Sequence, residues 1–397
     1  MKIKCQTGDF CVRELTDFSA SAGPFALYEL RKEALGTLEA VQAVARRWRI
    51  PEPTISFGGL KDRYATTSQW LTIEHGPHRD LRQSHLSLTY KGQVPRAFGP
   101  EDIAGNRFRL VVRDVPPPVA GRMAGALTEI AAEGVPNYFD RQRFGSRGRS
   151  GDFIARPWCQ GDFEGALWLA LADPNRHDRP TQRSDKTVWR DHWGAWSECH
   201  DQLADTDHRR IAQFLMQHPT DFRRAFARID VHLRRLFLAA FQSHLWNRLL
   251  ARSVRDACDL DRVTELEIDG EPLPFFRPGG ACDPAPWQAL ALPLPSARLH
   301  LEPDDPLRTV IDEVLGEFGV ALREMRVKYP RDSFFSKGLR SSVFLPVDQA
   351  STAEPDELHP GQTKVTLEFQ LPRGAYATVL LKAVAARADE SLDEETD

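Results

Sequence analysis

One carboxylate stands out in residues 56–71, SFGGLKDRYATTSQWL. Asp62 follows the glycine pair Gly58-Gly59 and lies between Lys61 and Arg63. Neighbouring cations favour the charged form of an acid, as a nucleophile or a base requires. The hydroxyls of Thr66, Thr67 and Ser68 follow, able to orient a phosphate or the loop itself. The competing reading is plain: a lone aspartate in a glycine turn commonly caps its own turn. Local features leave both readings open.

A second group begins at Asn137. Phe139 follows, and the stretch RQRFGSRGR then carries Arg141, Arg143, Arg147 and Arg149 without an acid. An aromatic ring beside guanidinium groups suits unstacked bases and their phosphates. An amide that both donates and accepts can read the edge of a uracil-like base. An ordinary solvated loop would look similar. Gly374-Ala375-Tyr376-Ala377-Thr378 reads locally as a strand-to-helix turn with a structural tyrosine. The chain has no P-loop, dinucleotide fingerprint, zinc-protease motif or serine-hydrolase elbow, so those classes lose their usual support.

With 397 residues and 41% hydrophobic content, the chain can build two or three cores. No apolar run is long enough for a membrane helix, and MKIKCQTGDF lacks an apolar signal core, so export is not expected. The six cysteines form no C-x-x-C pair; reduced, structural thiols in a cytoplasmic protein without metal are expected. The net charge of −4 conceals a local bias. The last nine residues, DESLDEETD, hold six acids, and without them 52 bases face 50 acids. That acidic end, 389–397, reads as a disordered tail.

These groups need a scaffold. Residues 8–31 suggest two strands around a polar loop. Thr37 reads as the N-cap of a helix ending before Pro51. A strand is expected from about Gln69 to Glu74, and residues 105–115 alternate as a half-buried strand. A helix over 119–133 ends at Gly134. The apolar spacing predicts a strong helix over 229–255, where His232 and His244 read as surface or capping residues, and another over 308–326. A strand at 364–371 and a helix over 376–387 close the chain. Strands at both ends with helices between suggest one domain inserted into another.

Together these segments resemble the TruD family of RNA pseudouridine synthases. The pattern around the family's catalytic aspartate, G-x-K-D-[KR]-x-A-x-T-x-Q, is matched from Gly59 to Gln69. G-V-P-N-Y-F-x-x-Q-R-F-G is matched from Gly134 to Gly145. The N-terminal pattern is matched by Lys4, Asp9, Phe10, Val12 and Glu14, and L-P-x-G-[SA]-[FY]-A-T by Leu371–Thr378. The blocks fall in the right order, whereas the middle of the chain matches only loosely.

The resemblance implies an α+β fold: a pseudouridine synthase core, with a mixed, mostly antiparallel sheet flanked by helices, and an inserted α/β TRUD domain. Residues 1–155 and 325–391 would form the catalytic domain and 156–324 the insert. It implies isomerisation of uridine to pseudouridine, at position 13 of tRNA, by a monomer without cofactor or metal. Asp62 would be the nucleophile or base, with Lys4 as its charge partner and Lys61 and Arg63 as rivals. Phe10 and Tyr376 would wall the pocket, Asn137 would bind the base edge and Phe139 would stack on it. The target base must leave the RNA stack at a cost of a few kcal/mol. Two other readings compete: a non-catalytic RNA-binding or chaperone protein using the same cleft, and a nuclease. The second lacks the clustered carboxylates that metal ions need.

Overall fold

The computed structural model describes residues 1–176, 178–259, 262–277, 284–389 and 393–394. The chain divides into two compact units. The first comprises Met1–Asn137, Phe275–Gly279 and Val343–Asp397; the second comprises Tyr138–Pro274 and Gly280–Ser342. The divisions fall at 137/138 and 342/343 rather than at 155/156 and 324/325. The arginine loop therefore groups with the second unit.

The first unit is built on a mixed sheet. In spatial order its main strands are Val347–Pro355, Thr363–Pro372, Gly105–Val115, Phe10–Leu15, Thr66–Glu74, Phe25–Glu33, Leu86–Val94 and Leu81–Gln83. Phe10–Leu15 runs parallel to Thr66–Glu74, with Cys11 opposite Thr66 and Val12 opposite Thr67. The other pairings along this order are antiparallel. The long Gly105–Val115 strand is central because both of its faces are covered. Phe108, Leu110 and Val112 are buried on one side, and Val111 and Arg113 on the other. Its Phe108 ring meets both Phe10 and Phe369 from the flanking strands. Each such buried ring contributes about 1.5–3 kcal/mol through its burial.

The Thr37–Trp48 helix covers the far half of this sheet. Val41 and Val44 join Ala26, Tyr28, Leu30, Leu71, Ile73 and Leu88 in one core. Its N-cap is Gly36, not Thr37; the Glu39 carboxylate accepts the Gly36 N–H at 2.9 Å. The Thr37 hydroxyl is thereby free for another use. The strand after the glycine pair begins at Thr66, three residues earlier than its apolar pattern suggests.

The chain's first residues are tied down by a buried ion cluster. Arg113 donates from Nε and Nη2 to Asp9 at 2.8 and 2.9 Å, and from Nη1 to Asp356 at 2.9 Å. Asp9 also accepts the Gln6 N–H at 2.9 Å, closing the 3-10 turn Thr7–Asp9. This fixes the segment that carries Lys4, whose φ of 60° places it in the left-handed region.

The second unit is mostly helical. Its longest helix, Val231–Ala257, covers the expected span, but His244 is buried inside it. Its ring packs tilted against Phe153 with centroids 4.6 Å apart, and burial pushes its pKa down to about 3. The helix expected over 308–326 stops at Gly316, and a short 3-10 turn, Leu322–Met325, follows. Cys11, Cys159 and Cys199 are unbridged thiols. Cys258 is disulfide-bonded, against the expectation of reduced thiols throughout; Cys282 lies outside the described residues. So does most of the acidic tail, although the backbone of Asp393–Glu394 pairs in parallel with Lys2–Ile3.

Replacing Arg113 with Met leaves Asp9 and Asp356 buried without their cation. We expect a loss of about 3–5 kcal/mol in urea unfolding. Burial alone would raise the Asp356 pKa, but the Asp114 and Leu358 N–H groups, His359 and Arg113 hold it well below the usual carboxylate range. Its stabilisation is therefore present above pH ~4 and lost as the pH falls further. That acid-side loss should be shallower in Arg113→Met.

Candidate active site

Asp62 lies on an irregular loop between the short strand Ile55–Phe57 and the strand Thr66–Glu74. The loop backbone is pinned from beneath by three buried side chains. Gln69 Nε2 donates to the Gly59 carbonyl at 3.1 Å. The Thr37 hydroxyl accepts the Lys61 N–H at 2.9 Å and donates to Gln69 Oε1 at 2.8 Å. Lys32 Nζ donates to the Asp62 carbonyl at 2.8 Å and to the Lys61 carbonyl at 3.3 Å. Gln69, Thr37 and Lys32 are at most 2% exposed. Buried polar groups persist only when hydrogen-bonded, so these three and the loop backbone hold one another.

The glycine pair acts through space rather than through torsion. A Cβ on Gly58 would lie 2.6 Å from Ile103 Cδ1 and 3.0 Å from Phe98 Cε1. Gly59 has only Ile103 Cδ1 near it, at 3.9 Å. Neither has a left-handed backbone; the left-handed residue near this site is Lys4.

The three candidate cations have different partners. Lys4 Nζ lies 3.0 Å from Asp62 Oδ2 and 4.5 Å from the centre of the Phe10 ring. Lys61 Nζ instead meets Glu14 Oε2 at 2.9 Å and Asn106 Oδ1 at 2.7 Å. The Glu14 side chain is fully buried, and it also accepts the Trp70 N–H at 3.0 Å. Arg63 is exposed and reaches Glu39 at 3.5 Å. Lys4 and Asp62 each keep about a quarter of their side-chain exposure. A pair so open adds on the order of 1 kcal/mol or less to stability; its consequence is a carboxylate held beside a cation and reachable from outside.

The remaining candidates are distributed over both units. Phe10 is 5% exposed, at the start of its strand. Tyr376 is half-buried and caps the Ala377–Arg387 helix, after Gly374, whose φ of 86° makes the turn. Asn137 is buried at the end of the first unit's N-terminal part. Thr66, Thr67 and Ser68 belong to the strand; Ser68 Oγ donates to Glu29 at 2.7 Å.

In the second unit, Asn247 holds the Phe139 backbone from both sides, accepting its N–H and donating to its carbonyl, each at 2.8 Å. The Phe139 ring meets Trp246 edge-on, and the Arg340 guanidinium covers it at 3.9 Å. Sequence reasoning missed Arg340, Asn247 and Lys32. Asn247 lies in the segment FQSHLWNRLLARSV, where a polar residue inside an apolar run was a usable signal. Arg340 carried none.

The arginines also separate. Arg143 and Arg149 are exposed and Arg141 is half-buried. Arg147 faces inward instead, within 3.2 Å of Asp269 and 3.7 Å of Glu271. Its charge is offset there by these two carboxylates. Among the described residues no group of His, Cys, Asp and Glu could hold a metal ion, and no helix is long and apolar enough to cross a membrane.

The fold, a mixed sheet flanked by helices, is that of the pseudouridine synthases. A crystal structure from Methanosarcina mazei, described as that of a putative tRNA pseudouridine synthase D, shares the fold. Its TM-score is 0.71 at 24% identity, covering 96% of this chain and 92% of that one. The family model for tRNA pseudouridine synthase D (TruD) matches residues 1–268 and 288–384, and the chain belongs to that family. Relatives include a Methanopyrus kandleri protein named probable tRNA pseudouridine synthase D, 30% identical over 91% of this chain and 85% of its own length. A Leptospira interrogans protein named tRNA pseudouridine synthase D is 27% identical over 96% of this chain and 95% of its own length.

Gly58→Ala should lower thermal stability by about 1–3 kcal/mol through overpacking. Adding Ile103→Val, which removes the clashing methyl, should recover part of the loss in the double-mutant melt.

Proposed function

We propose that this chain isomerises uridine to pseudouridine at position 13 of tRNA, with Asp62 as the catalytic group. The observation that carries the proposal is the Lys4–Asp62 pair at 3.0 Å on a loop fixed by buried side chains. The reaction breaks the bond between ribose C1′ and uracil N1, turns the base, and joins C1′ to C5. C5 then loses its proton to solvent or to a base and the freed N1 takes one up, so atoms balance without a cofactor. Asp62 serves either by attacking C1′ or by removing a ribose proton to give a glycal. Both routes need an ionised carboxylate, and Lys4 favours that form.

Phe10, Asn137, Phe139 and Tyr376 enter as base-binding residues through the family motifs they occupy. Arg141, Arg143 and Arg149 are the proposed phosphate contacts, and Arg147 is not. The second unit is proposed to be the inserted TRUD domain. The relatives' names support tRNA as substrate. A monomer acting in the cytoplasm completes the reading.

The test incubates the protein with a uridine-containing tRNA transcript and maps pseudouridine by carbodiimide-primer extension. Wild type should convert one uridine, at position 13. Asp62→Ala should abolish conversion yet bind tRNA with the same salt dependence. Lys4→Met should slow conversion by about 100-fold or more, the usual scale for losing a charge partner at a reacting group. Arg63→Ala should change it by at most about 3-fold, because its guanidinium is exposed and reaches Glu39. Binding without conversion by wild type would favour the non-catalytic RNA-binding reading.

A further inference from the structure

Lys32 lies near the end of the Phe25–Glu33 strand, between Thr67 and Leu86 in register, and is 1% exposed. Its Nζ donates to the main-chain carbonyls of Asp62 at 2.8 Å and Lys61 at 3.3 Å. Carbonyl dipoles solvate an ammonium but do not neutralise it, and a buried charge needs a counter-charge. The charged groups facing it are Asp62 and Lys61 from the loop and Glu39 from the Thr37–Trp48 helix. Lys61 repels it. Glu39 is partly exposed and already receives the Gly36 N–H and Arg63. Asp62 remains the principal acid.

We infer that Lys32 is a positioning residue for Asp62: it holds the peptide of the reacting residue in place, and its buried charge keeps that residue's carboxylate ionised. Lys4 touches the carboxylate from the exposed side, whereas Lys32 acts through the backbone and through the field. A scaffold role alone would not require a charge here, since a neutral donor could satisfy the same carbonyls. The inference rests on the isomerase reading above.

The electrostatics have a measurable sign. Burial lowers the Lys32 pKa to about 8, although Asp62 and Glu39 pull it upward. The ammonium is therefore present at neutral pH and lost as the pH rises through about 8.

The test uses the full chain with Lys32→Met and Lys32→Arg. Single-turnover pseudouridine formation, tRNA Kd, thermal melting and the carboxyl 13C titration of Asp62 are measured for each. Lys32→Met should slow turnover by about 100-fold and leave Kd within about 3-fold. The Asp62 titration should move to higher pH, because a nearby cation has gone. Wild-type turnover should decline above pH ~8 as Lys32 deprotonates, and Lys32→Arg should not decline there, since a guanidinium stays charged.

Turnover in Lys32→Met within about 3-fold of wild type would overturn the inference, as would slower turnover with an unmoved Asp62 titration, which marks a scaffold role. If Lys32→Met does not fold, the alkaline limb decides: the same limb in wild type and Lys32→Arg overturns it. A wild type that converts no uridine removes the isomerase reading and this inference with it. An active wild type beside an unimpaired Lys32→Met removes only this inference.

Discussion

Everything at the candidate site depends on the hydrogen bonds that fix the loop before and at Asp62 from beneath. A carboxylate proposed to meet a sugar carbon must be held to a fraction of an ångström. An irregular loop cannot do this through its own torsions. Here three buried side chains from two strands and a helix hold it: Gln69 at Gly59, Thr37 at Lys61, and Lys32 at Lys61 and Asp62. They are distant in sequence but adjacent because Phe25–Glu33 pairs with Thr66–Glu74, placing Lys32 opposite Thr67 and Leu30 opposite Gln69. The loop borrows its rigidity from the sheet.

The same sheet sorts the charges. Four cations lie on or beside this loop, and without separate partners they would crowd one acid. The buried Glu14 takes Lys61, and Glu39 at the helix start takes Arg63. Lys4 remains for the carboxylate and Lys32 for the backbone. The Asp9–Arg113 cluster matters for the same reason, since it anchors the turn just after Lys4. A deeply buried ion cluster is a costly way to gain stability. Its use here is to hold a short, left-handed segment in one place.

The fold was legible where apolar residues recur with the period of the element. Gly105–Val115 and Val231–Ala257 show this, and their spans match the structure closely. Asp62 was legible because its motif is local. The support beneath it was not. Lys32 and Thr67 occupy strand positions whose residue types suggest solvent, yet both are buried, because the loop and helix cover that side. Thr37 looks like an N-cap, but Gly36 takes that role and frees its hydroxyl for the loop. The 173–210 region hid three helices, Pro180–Asp191, Trp196–Gln202 and Thr206–Gln217. Two of them, with the loop between, share a cluster of Trp168, Trp189, Trp193 and Trp196 instead of each showing one apolar stripe.

The glycine pair shows how sequence and structure can agree on a residue and differ on its reason. Two glycines before an aspartate suggest a turn that only glycine can make. Gly58 is needed because Ile103 and Phe98 close over it. Leu60 on the same loop is 67% exposed and contributes little to that packing. The loop is therefore anchored by its small and polar residues and by its backbone, and its larger side chains stay outside. This distribution suits a loop whose outer surface must meet another molecule while its backbone stays still.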